Sequence, residues 1–221
     1  MASVASPYGL KPIQMIGGAP YNGGVIREYK VAANNSAAIF NGDLVQLSSA
    51  GQPSAVSSSP TAIKIPATSA DATAGIVGVC VGARYVNPAT KQPVWSNYLP
   101  ANTITGGATD VWIMVMDDPR GLFQVQGTAA LGTFNSGTSG SGWPGAIGKN
   151  AALGFGTAGN ATTGVSGVNL VVGSNGGSLA TTSTLAVRIV GLVSGTESDA
   201  YPEFIVKLNV GVHSYDNSLG V

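Results

Sequence analysis

The sequence predicts a mainly β protein, an antiparallel barrel or sandwich, on three observations. Helix signals are nearly absent, because 32 glycines and 12 prolines are spread through the 221 residues and leave few windows for an uninterrupted amphipathic helix. Runs that alternate apolar and polar side chains recur, which is the period of a strand with one covered face. Turn-forming clusters separate these runs at the intervals typical of a barrel or sandwich.

The elements follow in order. Met1 to Ile16 reads as an extended N-terminal arm, since Pro7 and Pro12 remove backbone donors and favour an extended path. Its apolar side chains are too many for an idle tail. Tyr8, Leu10, Lys11, Ile13 and Ile16 are therefore the candidate contacts to a neighbouring subunit or partner. Residues 17–221 read as a single β domain. Within it, Gly24 to Val31 reads as a strand with mixed faces, and Asn41-Gly42-Asp43 as a tight connection between Ala38-Ile39-Phe40 and Leu44 to Leu47. Ser48 to Thr73 reads as a long loop with a short strand at Ala62 to Ile65. Ile76 to Val81 and Val111 to Met116 are apolar on both faces, the pattern of central strands. Asp117-Asp118-Pro119-Arg120-Gly121 supplies a turn, with an aspartate expected to cap backbone groups. Phe123 and Val125 alternate with Gln124 and Gln126, and residues 127–186 read as an ordered Gly/Ser/Thr-rich loop insertion. Glu203 to Val210 shows the clearest alternation in the chain.

Charge is the unusual feature. Only 9% of residues are charged, and ten basic side chains cancel ten acidic ones, against about 25% charged in ordinary soluble domains. No Lys/Arg stripe exists to neutralise phosphates, so nucleic acid is not an expected partner. A surface so poor in charge suits a subunit covered by partners, and a homo-oligomer is expected. No apolar run approaches the length of a membrane span, and Met1 to Pro7 lacks the basic and apolar regions of a signal peptide.

Motifs for chemistry are weak. The single cysteine, Cys80, sits in an apolar run and reads as a small buried hydrophobe. The single histidine, His213, has no G-x-S-x-G nucleophile to serve, and one His with one Cys excludes the usual zinc sets. Gly154 to Gly159 matches G-x-G-x-x-G, but neither a helix start nor an acidic residue follows at the required distance. Gly145 to Asn150 departs from the P-loop pattern at its key positions. Asp117 and Asp118 are adjacent, so a turn is favoured over paired acid-base work, with calcium at a subunit contact the alternative. Trp95, Tyr98, Trp112 and Trp143 could stack against sugars, although Trp112 lies in a run that looks buried. No catalytic residue, metal or cofactor is expected.

Several phrases occur in a characteristic order. They are Pro7-Tyr8-Gly9-Leu10-Lys11-Pro12, Gly18-Ala19-Pro20-Tyr21-Asn22-Gly23, Glu28-Tyr29-Lys30-Val31 and Ile39-Phe40-Asn41-Gly42-Asp43-Leu44-Val45. Gly75 to Gly82 with Tyr85, Asp117-Asp118-Pro119 with Phe123-Gln124-Val125-Gln126, and Val206-Lys207-Leu208-Asn209 complete the series. Together they resemble the capsid decoration (cement) proteins of tailed phages, in particular those of cyanobacteria and other environmental bacteria. The resemblance covers residues 1–126 and roughly the last 35, and the Gly/Ser-rich middle carries none of it. It implies a virion protein without catalytic residues, sitting on the outer surface of the capsid. Its implied partners are the major capsid protein and further copies of itself, with a trimer the first expectation and a dimer the next.

Overall fold

The computed structural model describes residues 4–20, 26–33, 35–47, 61–64, 76–131, 143–173, 178–209 and 216. His213 and the side chain of Trp143 lie outside the described residues. The strands in chain order are β1 (Lys11–Met15), β2 (Ile26–Val31), β3 (Leu44–Leu47), β4 (Thr61–Lys64), β5 (Ile76–Val86) and β6 (Pro93–Ser96). They continue as β7 (Thr109–Met116), β8 (Gly121–Gln126), β9 (Asn150–Gly154), β10 (Asn169–Val171), β11 (Val187–Leu192) and β12 (Glu203–Leu208). A single helical turn, Trp143–Ala146, precedes β9. The mainly β expectation holds.

Two curled sheets carry the fold. The first runs β1-β8-β12-β11-β9-β10 and the second β3-β4-β2-β7-β5-β6. In the second sheet β3 also pairs with β5, so the pairings β3-β4-β2-β7-β5-β3 return on themselves as a small ring. One pair in it, β2 with β4, is parallel; the remaining pairs are antiparallel. The first sheet curls likewise, because Leu170 of β10 bridges to Gly127 just beyond β8. Curling a sheet until its pairings meet reduces the exposed row of unpaired N–H and C=O groups that an open edge presents.

Each sheet encloses its own apolar cluster. In the first, Phe123 and Val125 of β8, Phe204, Val206 and Leu208 of β12, and Val187 and Ile189 of β11 point inward. In the second, Tyr29, Val45, Val77, Cys80, Ile113 and Val115 fill the interior. Each fully buried aliphatic or aromatic side chain contributes about 1.5–3 kcal/mol, so these strands, short as they are, specify the fold. β5 belongs to both clusters: Ile76 and Val79 face the first core, while Val77, Cys80 and Ala83 face the second. That explains a run apolar on both faces. Its close packing on β7 requires glycine at Gly78, where a Cβ would stand 2.2 Å from the Met116 carbonyl oxygen.

The turn after β7 carries the chain from the second sheet to the first. Asp118 caps it: its Oδ1 accepts from the Arg120 N–H at 2.7 Å and its carbonyl from the Gly121 N–H at 3.0 Å. Asp117 does different work. It is buried, and its Oδ2 accepts from the Tyr29 hydroxyl at 2.6 Å and pairs with Arg27 at 3.1 Å. Asn41-Gly42-Asp43 is tight as expected, with Phe40 N–H donating to the Asp43 carboxylate at 2.8 Å. Its flanks do not pair with one another, however. Ile39 bridges to Leu99, and β3 pairs with β4 and β5.

Two expectations need correction. The Gly/Ser/Thr-rich stretch 127–186 is not loop alone, since among its described residues Asn150–Gly154 form β9 and Asn169–Val171 form β10, and Leu131, Leu153, Val168, Leu170 and Val172 are buried in the first core. The described part of the N-terminal segment, residues 4–16, is not an arm detached from the domain. Lys11 to Met15 form β1, antiparallel to β8, and Leu10 and Met15 are core residues. Pro12 is tolerated there because β1 ends its sheet and the register shifts between Pro12 and Gln14.

Candidate functional site

The five N-terminal candidates fall in different places. Leu10 is wholly buried, with its backbone N–H held by the Gly42 carbonyl at 3.0 Å, and serves packing rather than contact. Ile13 is half-buried and Ile16 exposed. Tyr8 and Lys11 come together with Gln124 of β8 and Glu203 of β12 around a cavity of about 610 Å³. Upstream of Tyr8, the chain is tied down by Gln126, whose amide accepts from Ser6 N–H at 2.8 Å and donates to the Val4 carbonyl at 3.1 Å. The Tyr8 hydroxyl is buried without a hydrogen-bond partner of good geometry. Burial first, and then the negative charge of Glu203, push its pKa above the usual phenol value.

A second feature lies on the outside of the second sheet. Strand register places Trp95 of β6 beside Arg84 of β5, Arg84 beside Trp112 of β7, and Trp112 beside Lys30 of β2. The row crosses the sheet at right angles to its strands. Arg84 is clamped: its Nε and Nη2 donate to the two Glu28 oxygens at 3.0 Å each, and its Nη1 to Asp110 at 2.7 Å. The guanidinium lies 5.2 Å from the Trp112 ring centre, a cation–π distance. The Trp112 indole N–H donates to Asp110, and this bond, followed by Arg84, holds the Asp110 carboxyl below the usual carboxylate range. Asp110 adopts a φ of 52° to reach both partners, a conformation uncommon for a residue other than glycine. Trp95, at the end of the row, is 66% exposed.

Trp112 corrects the sequence reading. Val111, Ile113 and Val115 point into the ring, so Trp112 and Met114 point out of it and are only half-buried. The alternation was present in the run, but an apolar outer residue masked it. Tyr98 is stacked on Phe40 at 5.1 Å and an 11° interplanar angle, so its ring is committed to packing. Glu28 and Arg84 escaped sequence reasoning because nothing in the local pattern pairs residues 56 positions apart.

The remaining motifs serve structure. Gly159 lies against the Phe40 ring, where a Cβ would come within 2.2 Å, and residues 161–164 form a turn rather than a helix. Cys80 is buried, its thiol 3.4 Å from the Gly82 carbonyl. Asp43 is a buried carboxylate bound by Ser166 Oγ at 2.6 Å as well as by Phe40 N–H. Among the described residues no three His, Cys, Asp or Glu side chains gather as a metal site. The chain matches no family model, no curated protein and no solved structure.

Proposed function

We propose that this protein is a structural subunit of a phage head, a decoration protein that binds the outside of the capsid and bridges neighbouring capsomers. The observation that carries the reading beyond the ordered phrases is the row Trp95-Arg84-Trp112-Lys30. Tryptophan and arginine are the residues that most often dominate protein–protein binding energy. Here the arginine is already held by three hydrogen bonds to carboxylates, so little side-chain freedom remains to be lost on docking. The adjacent carboxylates balance the cationic side chains, which suits a partner surface of mixed rather than uniform charge.

The mechanism needs no enzyme chemistry. Packaged genome loads the contacts between capsomers. A protein that binds the expanded shell in preference to other states stabilises that shell by mass action. Many copies, associated with each other as trimers, add avidity without strong single contacts. The major capsid protein is the partner, and the virion surface the location.

The test is co-sedimentation of the purified protein with heads that lack decoration. Saturable binding, near the abundance of the capsid protein and at least tenfold weakened by Trp95→Ala or Arg84→Ala, supports the reading. No binding to heads, or stoichiometry of a few copies, sinks it and favours a minor head or tail component. The exposure of Trp95 keeps a sugar-binding spike module as second reading. Glycan-array binding abolished by Trp95→Ala, without binding to heads, would select it.

A further inference from the structure

The outer face of the second sheet presents two groups that suit each other but do not meet within one subunit. The first is the Arg84 guanidinium. Its edge is engaged by Glu28 and Asp110, and one side lies over the Trp112 ring, 5.2 Å from its centre. Yet 24% of the side chain stays exposed. A planar guanidinium stacks on aromatic faces, and the side turned away from Trp112 is open to one. The second group is the Trp95 indole, the one exposed aromatic ring among the described residues. Register puts Trp95 on β6, Arg84 on β5 and Trp112 on β7, so β5 runs between the two indoles, about 5 Å from the strand of each. To reach Glu28 of β2, Arg84 leans across β7, away from Trp95.

We propose that this face pairs with the same face of a second copy of this chain, about a two-fold axis along β5, so that each Trp95 stacks on the open side of the other copy's Arg84. The axis lays β6 of one copy on β7 of the other. Each indole then completes a Trp112–Arg84–Trp95 stack across the interface, and symmetry makes the contact twice. The two guanidinia lean to opposite sides of the axis and each keeps its own carboxylates, so like charges are not brought together. Arg84 is already fixed by its hydrogen bonds, which limits the side-chain freedom lost on pairing. A two-fold face is satisfied by one partner, so contacts that join copies as trimers lie elsewhere. The inference does not rest on the capsid reading. It says what covers the face while the protein is free of the shell.

The experiment is analytical ultracentrifugation of the full-length protein from about 1 µM to about 1 mM, the range of weak pairs. A concentration-dependent step that doubles the mass is expected. Trp95→Ala and Arg84→Met should each weaken that step at least tenfold while keeping the parent's circular dichroism. Val190→Ser, at an exposed position of the first sheet, is the control and should pair as the parent does. Mixing the two face variants is the decisive arm. Each alone lacks both contacts, whereas a mixed pair keeps one, Trp95 of the Arg84→Met chain on Arg84 of the Trp95→Ala chain. The mixture should therefore pair more tightly than either variant by itself, which a purely internal role for Arg84 would not produce. Trp95 is 66% exposed, so its variant decides the matter even if Arg84→Met disturbs the fold. No doubling across the range, doubling that survives Trp95→Ala, or a mixture of folded variants no tighter than its parts would overturn the proposal. Sedimentation with heads is a separate measurement, so failure of the pairing leaves the capsid reading standing, and the reverse holds.

Discussion

Leu10→Ala distinguishes a segment that belongs to its own core from an arm waiting for a partner. Leu10 is 0% exposed and packs in the first core, whereas Ile16, six residues later, is 44% exposed. Truncation to alanine removes three carbons, worth about 2.4 kcal/mol at about 0.8 kcal/mol each. A term for the cavity left behind adds to this, and measured Leu→Ala losses in cores span about 2–5 kcal/mol. The site is poorly able to collapse. Leu10 N–H is fixed to the Gly42 carbonyl at 3.0 Å and Gly9 N–H to the Val168 carbonyl at 3.1 Å. Backbone approaches so closely that a Cβ on Gly9 would lie 2.8 Å from the Gly42 Cα.

We therefore expect a loss of about 3 kcal/mol, which for a chain of this size lowers the Tm by roughly 6–12 °C. Urea denaturation and thermal melting, both followed by circular dichroism, measure it. Ile16→Ala is the control and should stay within about 0.5 kcal/mol of the parent. Equal, negligible losses for both variants would refute the placement of residues 10–15 in the domain and restore the free-arm reading.

Two further outcomes follow from buried polar groups. Tyr29→Phe keeps the ring but deletes the hydroxyl that donates to the buried Asp117 carboxylate at 2.6 Å, and should cost about 2 kcal/mol of unfolding free energy, as expected for a bond to a charged group, seen as a lowered urea midpoint; an unchanged midpoint would show that Arg27 and solvent replace it. Tyr8 has a folded-state pKa raised above its ordinary value of 10.0, so the native state holds its proton more tightly than the unfolded chain. Its effect is absent below the unfolded value, and stability falls as pH rises beyond it towards the folded one. Melting temperatures from about pH 9 to about pH 11 should decline less steeply in Tyr8→Phe than in the parent, and parallel declines would refute the burial of that hydroxyl.

The strands most legible in the sequence are those with one covered face. In β12, Phe204, Val206 and Leu208 alternate with half-buried Glu203, Ile205 and Lys207, and the period alone identifies them. β5 was legible for another reason, since a strand lying between two cores must be apolar throughout. β9 and β10 were not legible. Asn150–Gly154 is rich in small residues and Asn169–Val171 is only three residues long, and they are strands because their neighbours bury them rather than by their own pattern. β1 was hidden by Pro12, which argues against a strand except at a sheet edge. For the site, sequence singled out Tyr8, Lys11, Trp95 and Trp112 but not the groups that complete them. Gln124 and Glu203 read only as the polar faces of strands, and the Glu28–Arg84–Asp110 cluster depends on three strands being brought into register.

The same topology constrains how copies of this chain can associate. Both sheets curl until strands far apart in order meet, through β3 with β5 in one and Leu170 with Gly127 in the other. Among the described strands, β1 and β6 therefore stand outside the rings, each at one end of its sheet. Each is a poor template for strand addition: β1 carries Pro12 and a register shift, and β6 has only four residues and begins with Pro93. If the proposed docking holds, side-chain faces rather than backbone edges are then the surfaces that a chain with 9% charged residues offers to a partner. The Trp95-Arg84-Trp112 row is such a face, and its rigidity comes from within the subunit. An assembly built on it should dissociate on substitution of one side chain while every protomer stays folded, whereas an edge-paired assembly would tolerate the same change.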